Sequence, residues 1–306
     1  MIKTSPPVKH PSRWHLSSEQ IQQFDTQGFL VLHDRIPAAL LSMLKDKADL
    51  VQANGHLALK QNNVAKDLVF TYAYFQPFLN RVLHFHLWAG LDSLMPLGCP
   101  QLLSLAESLC GCDFVTTVDM FIYKHKKSEV KLPWHQDLIY QSNKYRVATA
   151  GIYLDDSNAG DGALKIIPNT QWHKQDICAI VDNPPDSEIE ISVKAGDILI
   201  HNPMIVHCSE NLTVQEMRRT LYYEFRPMAQ VTGEETWPEK LLTRRLDLQA
   251  TALHLYQSSY PEADQFEWKI ADPWRERTVV KALQPLYLDP IPFNTANFCL
   301  KQFKKS

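Results

Sequence analysis

The sequence predicts a mainly β fold in which a β core carries helices before and after it, all within one domain over residues 1–306. Three observations support this prediction: short β-like runs separated by turn residues, helical periodicity on both sides of them, and enough apolar residues for a large core. Of the 306 residues, 45% are hydrophobic, 21% charged and 10% aromatic, which excludes a generally disordered chain. We divide the domain into N-terminal helices and first strands (17–112), the β core (113–230) and a C-terminal helical extension (231–306).

The N-terminal part begins with a helix followed by a strand. Ser17 and Gln20 have the spacing of a capping box, and Gly28 is suited to the C-terminal cap. Residues 29–33 (FLVLH) predict a buried strand, and Pro37 suits the first turn of a second helix. The second helix has apolar residues at helical spacing, namely Leu40, Leu41, Leu44, Ala48 and Val51.

Aromatic residues crowd the segment 69–88, and a further helix is predicted over about 101–109. The segment 69–88 or the C-terminal aromatics Trp268, Trp274 and Tyr287 could line an apolar pocket, although ordinary core packing is the favoured interpretation for each residue.

The β core is predicted from runs that alternate with turns. The runs are residues 114–123, 147–154, 163–167, 189–193, 197–201 and 219–225. The turns are residues 158–162, 183–186 and 194–197. Helical character returns over about 234–256. This pattern is typical of a sandwich or barrel.

Charge and hydropathy exclude several classes of partner. Lys plus Arg is 31 and Asp plus Glu is 34, a net charge of −3, and no basic stripe is present, so general nucleic-acid binding is not expected. No apolar run reaches the roughly 18 to 20 residues that span a bilayer. Residues 1–14 lack the apolar core of a signal peptide, so we expect a cytoplasmic protein without an obligate protein partner.

The cysteines and the main lysine cluster are expected to have no chemical role. The six cysteines are scattered, which favours buried small residues over a disulfide framework. Lys124 to Lys131 could meet an anionic substrate, but we favour a solvated loop, and His125 within it is predicted to be solvated too.

The segment Pro133-Trp-His-Gln-Asp137 holds a possible metal site. Residues two apart on an extended strand point the same way, so His135 and Asp137 can bind one ion. His207 is the favoured third ligand, since two histidines and one carboxylate on one face of an octahedron are typical of non-haem Fe(II) oxygenases. The motif alone is also compatible with a structural hydrogen bond between His135 and Asp137.

Arg218 and Thr220 follow the third ligand on a predicted strand and share one of its faces. A guanidinium grips a carboxylate with two hydrogen bonds, and a hydroxyl two residues on can add another. A dicarboxylate co-substrate that chelates the metal at one end needs such a clamp at the other. Arg219 is expected on the opposite face, and a surface ion pair is the alternative for Arg218 considered alone.

In its motifs the sequence resembles the phytanoyl-CoA dioxygenase family of Fe(II)/2-oxoglutarate-dependent oxygenases, over most of residues 17–227. The matching segments are residues 16–31, WHQD at 134–137, GALKIIPNT at 162–170, GD at 196–197, HCSEN at 207–211 and MRR at 217–219.

This resemblance implies a double-stranded β-helix, a distorted jelly roll of cupin-like type. It implies that His135, Asp137 and His207 bind Fe(II), and that Arg218 binds 2-oxoglutarate, with O2 as the second co-substrate. The implied activity is hydroxylation of an unactivated carbon in a small molecule, with release of succinate and CO2. Asp137 favours hydroxylation over halogenation, because related halogenases resemble the family but have Gly or Ala at that position.

Two departures from the family pattern concern the pocket wall. Cys208 replaces a frequent glycine, and the histidine after Pro168 is displaced to His173, so His173 and His201 are rivals for the third ligand. Two other activities stay open: a non-catalytic cupin-like metal-binding barrel, or an oxygenase of the family that performs desaturation or cyclisation. The sequence does not identify the substrate.

Overall fold

Two antiparallel β-sheets form the centre of the molecule. The computed structural model describes residues 12–137, 144–234, 237–272, 274–277 and 296–303. The strands are β1 (Phe29–Leu32), β2 (Leu68–Ala73), β3 (Gln76–Leu83), β4 (Phe114–His125), β5 (Leu132–Gln136), β6 (Ala148–Tyr153), β7 (Leu164–Ile167), β8 (Ile189–Ile191), β9 (Ile198–His201), β10 (Val206–Ser209), β11 (Met217–Pro227) and β12 (Asn297–Phe298). The helices are α1 (Ser18–Gln27), α2 (Ala38–Lys60), α3 (Phe85–Ala89), α4 (Met95–Gly98), α5 (Pro100–Cys110), α6 (Ile177–Asp182), α7 (Met228–Gly233), α8 (Glu239–Ser259) and α9 (Trp274–Arg277).

The order of the strands matches the predicted fold class. The large sheet has the order β1-β9-β6-β11-β4-β3-β2, and the small sheet has the order β12-β5-β10-β7-β8. Every run predicted in the β core forms a strand, and the two sheets with their flanking helices make a mainly β, cupin-like double-stranded β-helix. The large sheet also takes β1 to β3 from before the core, and the small sheet takes β12 from the C-terminal extension.

The predicted first helix and the strand that follows it are confirmed. The Ser17 hydroxyl accepts a hydrogen bond from the backbone of Gln20, whose side chain accepts one from the Ser17 backbone N–H. Gly28 ends α1 with a φ of 84°, a left-handed conformation that glycine adopts without strain, and β1 follows at once. These two local signals set the direction in which β1 enters the large sheet.

The large sheet has an apolar outer face and a mixed inner face. Along β11, Leu221 and Tyr223 point outward into the principal core, which also contains apolar residues of α2, α5 and α8. Arg218 and Thr220 therefore lie on the inner face, because side chains alternate along a strand. We call the space between the two sheets the interior, and one end of it is filled by a second apolar cluster, which includes Phe29, Tyr153, Leu164, Ile166 and Leu199.

The aromatic segment 69–88 and the C-terminal aromatic residues lie in different parts of the fold. Residues 69–88 contribute to the hairpin of β2 and β3, whose tip carries Tyr74 and Phe75, and Phe75 is 100% exposed. Trp268 and Trp274 pack against a buried cluster that includes Val115 of β4 and apolar residues of α7 and α8. Tyr287 lies outside the described residues.

Within the described part of the chain we find no helix both long enough and apolar enough to cross a bilayer.

The expectation for the cysteines is wrong for one pair. Cys178 on α6 and Cys299, which follows β12, form a disulfide. Sequence alone gave no signal, because the two residues are 121 positions apart and neither belongs to a motif. The other four cysteines are free, and all of them except Cys112 are buried.

Candidate active site

His135, Asp137 and His207 meet in the interior. β5 and β10 are antiparallel neighbours, with His135 directly opposite His207, and their rings lie 4.1 Å apart between centroids. Asp137 follows the end of β5, where its backbone N–H donates to Pro203. One ligand atom from each of the three residues lies within 4.8 Å of the other two. The structure therefore brings together the three residues that the sequence grouped.

Backbone carbonyls set the orientation of both histidines. Nδ1 of His135 lies 2.9 Å from the carbonyl oxygen of Pro133 and 3.1 Å from that of His207, and Nδ1 of His207 lies 2.9 Å from that of Ile205. A carbonyl only accepts, so each Nδ1 carries the proton and donates it. In the neutral ring the lone pair is then on Nε2, which is the form in which histidine binds a metal.

The Nε2 atoms of both histidines face the carboxylate of Asp137. Nε2 of His135 is 3.1 Å from Oδ1, and Nε2 of His207 is 3.7 Å from Oδ2. When both rings are neutral these groups are all acceptors, and they repel one another unless a proton or a metal cation lies between them. The donor set of two imidazoles and one carboxylate fits a non-haem Fe(II) ion and leaves three of six coordination positions for other ligands.

Protonation agrees with this donor set. Burial, together with the neighbouring His135, lowers the pKa of His207 to about 3, so its ring is neutral at physiological pH. Burial alone would raise the pKa of Asp137, but His207, His135 and His201 hold it well below its usual range. Both residues are therefore in the state that metal binding requires.

The two rival histidines differ from each other. His201 on β9 is buried and places Nε2 3.8 Å from Oδ2 of Asp137, yet neither of its ring nitrogens has a hydrogen-bond partner among the described residues. His173 is exposed, and its backbone carbonyl accepts a hydrogen bond from Gln136. Among the described residues, the group that could hold a metal ion consists of His135, Asp137 and His207 and includes neither of them.

Arg218 is buried in the interior, with 6% of its surface exposed. Its Nη1 donates to the hydroxyl of Ser157 at 2.7 Å and to the carbonyl of Gly162 at 2.6 Å. Its Nε is buried and has no hydrogen-bond partner in the described part of the chain. Neither observed partner is an acid, so the guanidinium can still accept an anion.

Lys124 is a second buried cation beside Arg218, and the expectation that it is solvated is wrong. The two residues are direct partners across β4 and β11, and Lys124 is only 5% exposed. Its Nζ donates to the hydroxyl of Ser209 at 2.8 Å, so it points across the interior to β10. Burial and the charge of Arg218 lower the pKa of Lys124 to about 7. His125 is also buried, with Nε2 3.0 Å from the carbonyl oxygen of Leu79.

Thr220 and Tyr222 continue the inner face of β11. Thr220 is buried, and the ring of Tyr222 lies over Gly151, where an added Cβ would be 2.7 Å from Cε1 of Tyr222. Burial and Tyr153 raise the pKa of Tyr222 well above its ordinary value, with Asp137 adding to that effect and Arg218 opposing it. Tyr222 thus experiences the charges of both Asp137 and Arg218.

Arg219 points away from the interior, as the alternation predicts. Its Nε and Nη2 bond the carboxylate of Asp155 at 2.9 and 2.8 Å, and its Nη1 bonds Asp49 of α2 at 2.7 Å. Arg219 therefore joins α2 to the outer face of the large sheet and leaves the interior to Arg218.

Comparison with known families gives one match. The family model described as phytanoyl-CoA dioxygenase (PhyH) matches residues 24–220, which include His135, Asp137, His207, Arg218 and Thr220. No curated protein matches the chain.

Several solved structures share the fold. EvdMO1 is 24% identical, with a TM-score of 0.58 over 69% of this chain and 50% of that one. AviO1 from Streptomyces viridochromogenes Tue57 is 21% identical, with a TM-score of 0.59 over 72% and 98% of the two chains. EctD from S. alaskensis, in a structure with 2-oxoglutarate and 5-hydroxyectoine, is 15% identical, with a TM-score of 0.58 over 74% and 80%.

Proposed function

Because this chain belongs to the phytanoyl-CoA dioxygenase family, we propose that it is an Fe(II)- and 2-oxoglutarate-dependent dioxygenase that hydroxylates an unactivated carbon of a small molecule. The observation that carries the proposal is the meeting of His135, Asp137 and His207 within 4.8 Å, with both imidazoles presenting Nε2. These three side chains would hold the iron.

The co-substrate is proposed to lie between the metal ligands and the pair Lys124 and Arg218. The two adjacent buried cations have no acid among their hydrogen-bond partners in the described part of the chain, which favours an anionic ligand. The distal carboxylate of 2-oxoglutarate has the charge and the fork-shaped acceptor that a guanidinium binds. Thr220 is proposed to add a hydroxyl from the same strand face.

When bound, Fe(II), 2-oxoglutarate and O2 supply the oxidising power to break a C–H bond, with release of succinate and CO2. The protein orients Nε2 of both histidines toward Asp137 and holds the far carboxylate of the co-substrate with the buried cations. Because Arg218 and Lys124 are only 6% and 5% exposed, that carboxylate would be shielded from water.

Turnover provides the test. We expect succinate to form from 2-oxoglutarate when Fe(II), O2 and a panel of small metabolites are supplied, and to cease in His207→Ala. Mass spectrometry of the consumed metabolite identifies the reaction: a gained oxygen atom supports hydroxylation, and the loss of two hydrogen atoms indicates desaturation or cyclisation instead. Metal binding without any loss of 2-oxoglutarate across the panel would favour a non-catalytic metal-binding barrel.

A further inference from the structure

The C-terminal segment 296–303 lies beside the strand that carries His135. β12 pairs antiparallel with β5 so that Phe298 is opposite His135 and Asn297 is opposite Gln136. On its other side β5 pairs with β10, which carries His207. β5, which carries His135, therefore lies between β10, which carries His207, and segment 296–303.

Phe298 stacks on the imidazole of His135. The ring centroids are 4.7 Å apart and the planes are parallel to within 1°. The same imidazole contacts His207 in a tilted arrangement at 4.1 Å. A flat aromatic ring against the face of an imidazole opposes rotation of that imidazole about its χ2 bond, because rotation would drive its edge into the neighbouring ring.

Side-chain amides tie this segment to the residues on both sides of His135. The amide of Gln302 accepts from the backbone N–H of Trp134 at 2.9 Å and donates to its carbonyl at 3.0 Å. The amide of Asn297 donates to the side chain of Gln136 at 3.0 Å and to the carbonyl of Gln175 at 2.9 Å. The side chains thus extend the two-residue pairing of β12 with β5.

The disulfide from Cys299 to Cys178 links the same segment covalently to α6. Cys299 is fully buried next to Phe298, in a cluster with Ile167, Ile177 and Val206. The segment lies beyond residue 220, where the family match ends, so the family pattern does not account for it.

We propose that segment 296–303 is a positioning element of the metal centre, in which Phe298 holds the His135 imidazole in its metal-binding orientation and the Cys178–Cys299 disulfide keeps Phe298 there. This inference rests on the proposed role of His135 as a ligand. Reduction would split the S–S bond with two electrons and two protons to give two thiols, and would leave the segment held by noncovalent contacts only. In a reducing cytoplasm, the location expected from the sequence, such a disulfide is typically transient and redox-sensing.

The ring contact is tested by anaerobic Fe(II) binding, without any turnover. We expect Phe298→Ala to raise the Fe(II) dissociation constant about 10- to 100-fold, the usual effect of removing a group that orients a ligand. Phe298→Tyr keeps the ring and should restore affinity to near the wild-type value. Leu300→Ala is the matched control, because Leu300 is in the same segment but 78% exposed.

The results separate the two proposals. Wild-type affinity in Phe298→Ala, with normal binding by the wild type, overturns the positioning role alone. A wild-type chain that does not bind Fe(II) overturns the proposed function as well.

The covalent link is tested by reduction with a phosphine, which is oxidised to the phosphine oxide with oxygen from water and is then removed. Thiols counted in denaturant should rise from four to six per chain, since six cysteines include one disulfide. Fe(II) affinity should fall, and it should fall equally in the double variant Cys178→Ser/Cys299→Ser, whereas Cys112→Ser should bind as the wild type does. Adding Phe298→Ala to the double variant should lower the Fe(II) affinity only slightly further, because both changes act through the contact between Phe298 and His135. Wild-type affinity in the double variant would overturn the role of the disulfide.

Discussion

At the scale of single residues, the hydrogen bond at Nδ1 distinguishes the three imidazoles around Asp137. His135 and His207 donate this proton to backbone carbonyls, which orients Nε2 toward the carboxylate. His201 lies nearly as close to Asp137 but makes no such bond with any residue that the structure describes. A ring without an orienting partner is a poorer ligand, since the outer hydrogen bond fixes both tautomer and direction.

We therefore expect His135→Ala and His207→Ala to lose Fe(II) binding, whereas His201→Ala keeps it. All three variants should keep the wild-type circular dichroism spectrum, because the core does not depend on the ion. Iron content after anaerobic loading and desalting measures the difference. Loss of iron in His201→Ala with retention in His207→Ala would assign the third ligand to His201.

The pKa of Lys124, lowered by burial to about 7, predicts a pH dependence of 2-oxoglutarate binding. Above pH 7 the amine of the free protein is mostly neutral, and an anion must bring a proton with it to regain the ion pair. The dissociation constant should therefore rise by up to about tenfold per pH unit above 7 and level off below it. Lys124→Met should show weaker binding and a flat profile over about one pH unit on either side of neutrality. The same slope in both proteins would exclude Lys124 from the site.

At the scale of elements, the alternation along β11 decides which arginine serves the interior. Arg218 faces the small sheet, and Arg219 faces α2. The prediction of opposite faces needed only the period of a strand. The choice of the inner face needed the neighbouring strands, which the structure supplies through Lys124 and Ser209.

Arg218→Ala should keep Fe(II) but need far more 2-oxoglutarate. Removing one partner of a buried charge pair costs roughly 3 to 5 kcal/mol, which corresponds to about 10² to 10⁴ in affinity. Arg219→Ala is the matched control: it should lower the melting temperature by breaking the ion pairs with Asp155 and Asp49, yet change 2-oxoglutarate affinity only slightly. The reverse order of the two affinities would place the clamp on Arg219.

Elements with strong local signals were predictable, and those made by long-range contacts were not. The capping box at Ser17 and the periodicity of α2 depend on residues within a few positions of one another. β12 has two residues and exists only because it pairs with β5, some 160 positions earlier in the chain, as the 161-residue separation of the Asn297 and Gln136 bond indicates. No local pattern marks such a strand.

The candidate site likewise has features that the sequence predicts and features that depend on long-range contacts. The grouping of His135, Asp137 and His207 follows from spacing and motif, whereas the burial of Lys124 depends on which face of β4 meets the small sheet. Lys127 and Lys131 are solvated as predicted, with side chains 76% and 62% exposed. Lys124 departs from the prediction because β10 covers it. The stacking of Phe298 on His135 had no sequence signal.

At the scale of the whole molecule, the metal ligands lie on a framework that stands without them. The principal core joins both helical flanks to the outer face of the large sheet, and none of the three proposed ligands belongs to it. A chain of this size buries enough apolar surface to fold without a metal ion. The ion is therefore expected to add to the stability of a protein that is already folded.

Binding of Fe(II) should therefore raise the melting temperature, Tm. Fe(II) at about 100 times its dissociation constant contributes roughly 2.7 kcal/mol, which for a chain of this length raises Tm by about 4 °C. The shift should be absent in His135→Ala and present in Arg219→Ala. An unfolded apo protein would contradict the independence of fold and metal, and an equal shift in His135→Ala would indicate binding elsewhere.

In the proposed function, the three ligands and the two buried cations hold one Fe(II) and one 2-oxoglutarate together. Anaerobic titration of the Fe(II)-loaded protein with 2-oxoglutarate, followed by visible absorption, tests it most directly. We predict a charge-transfer band that saturates at one equivalent in the wild type, requires about 10² to 10⁴ times more 2-oxoglutarate in Arg218→Ala, and is absent in His207→Ala. A wild-type protein that binds both iron and 2-oxoglutarate without developing the band would contradict the claim, because the two would then occupy separate places.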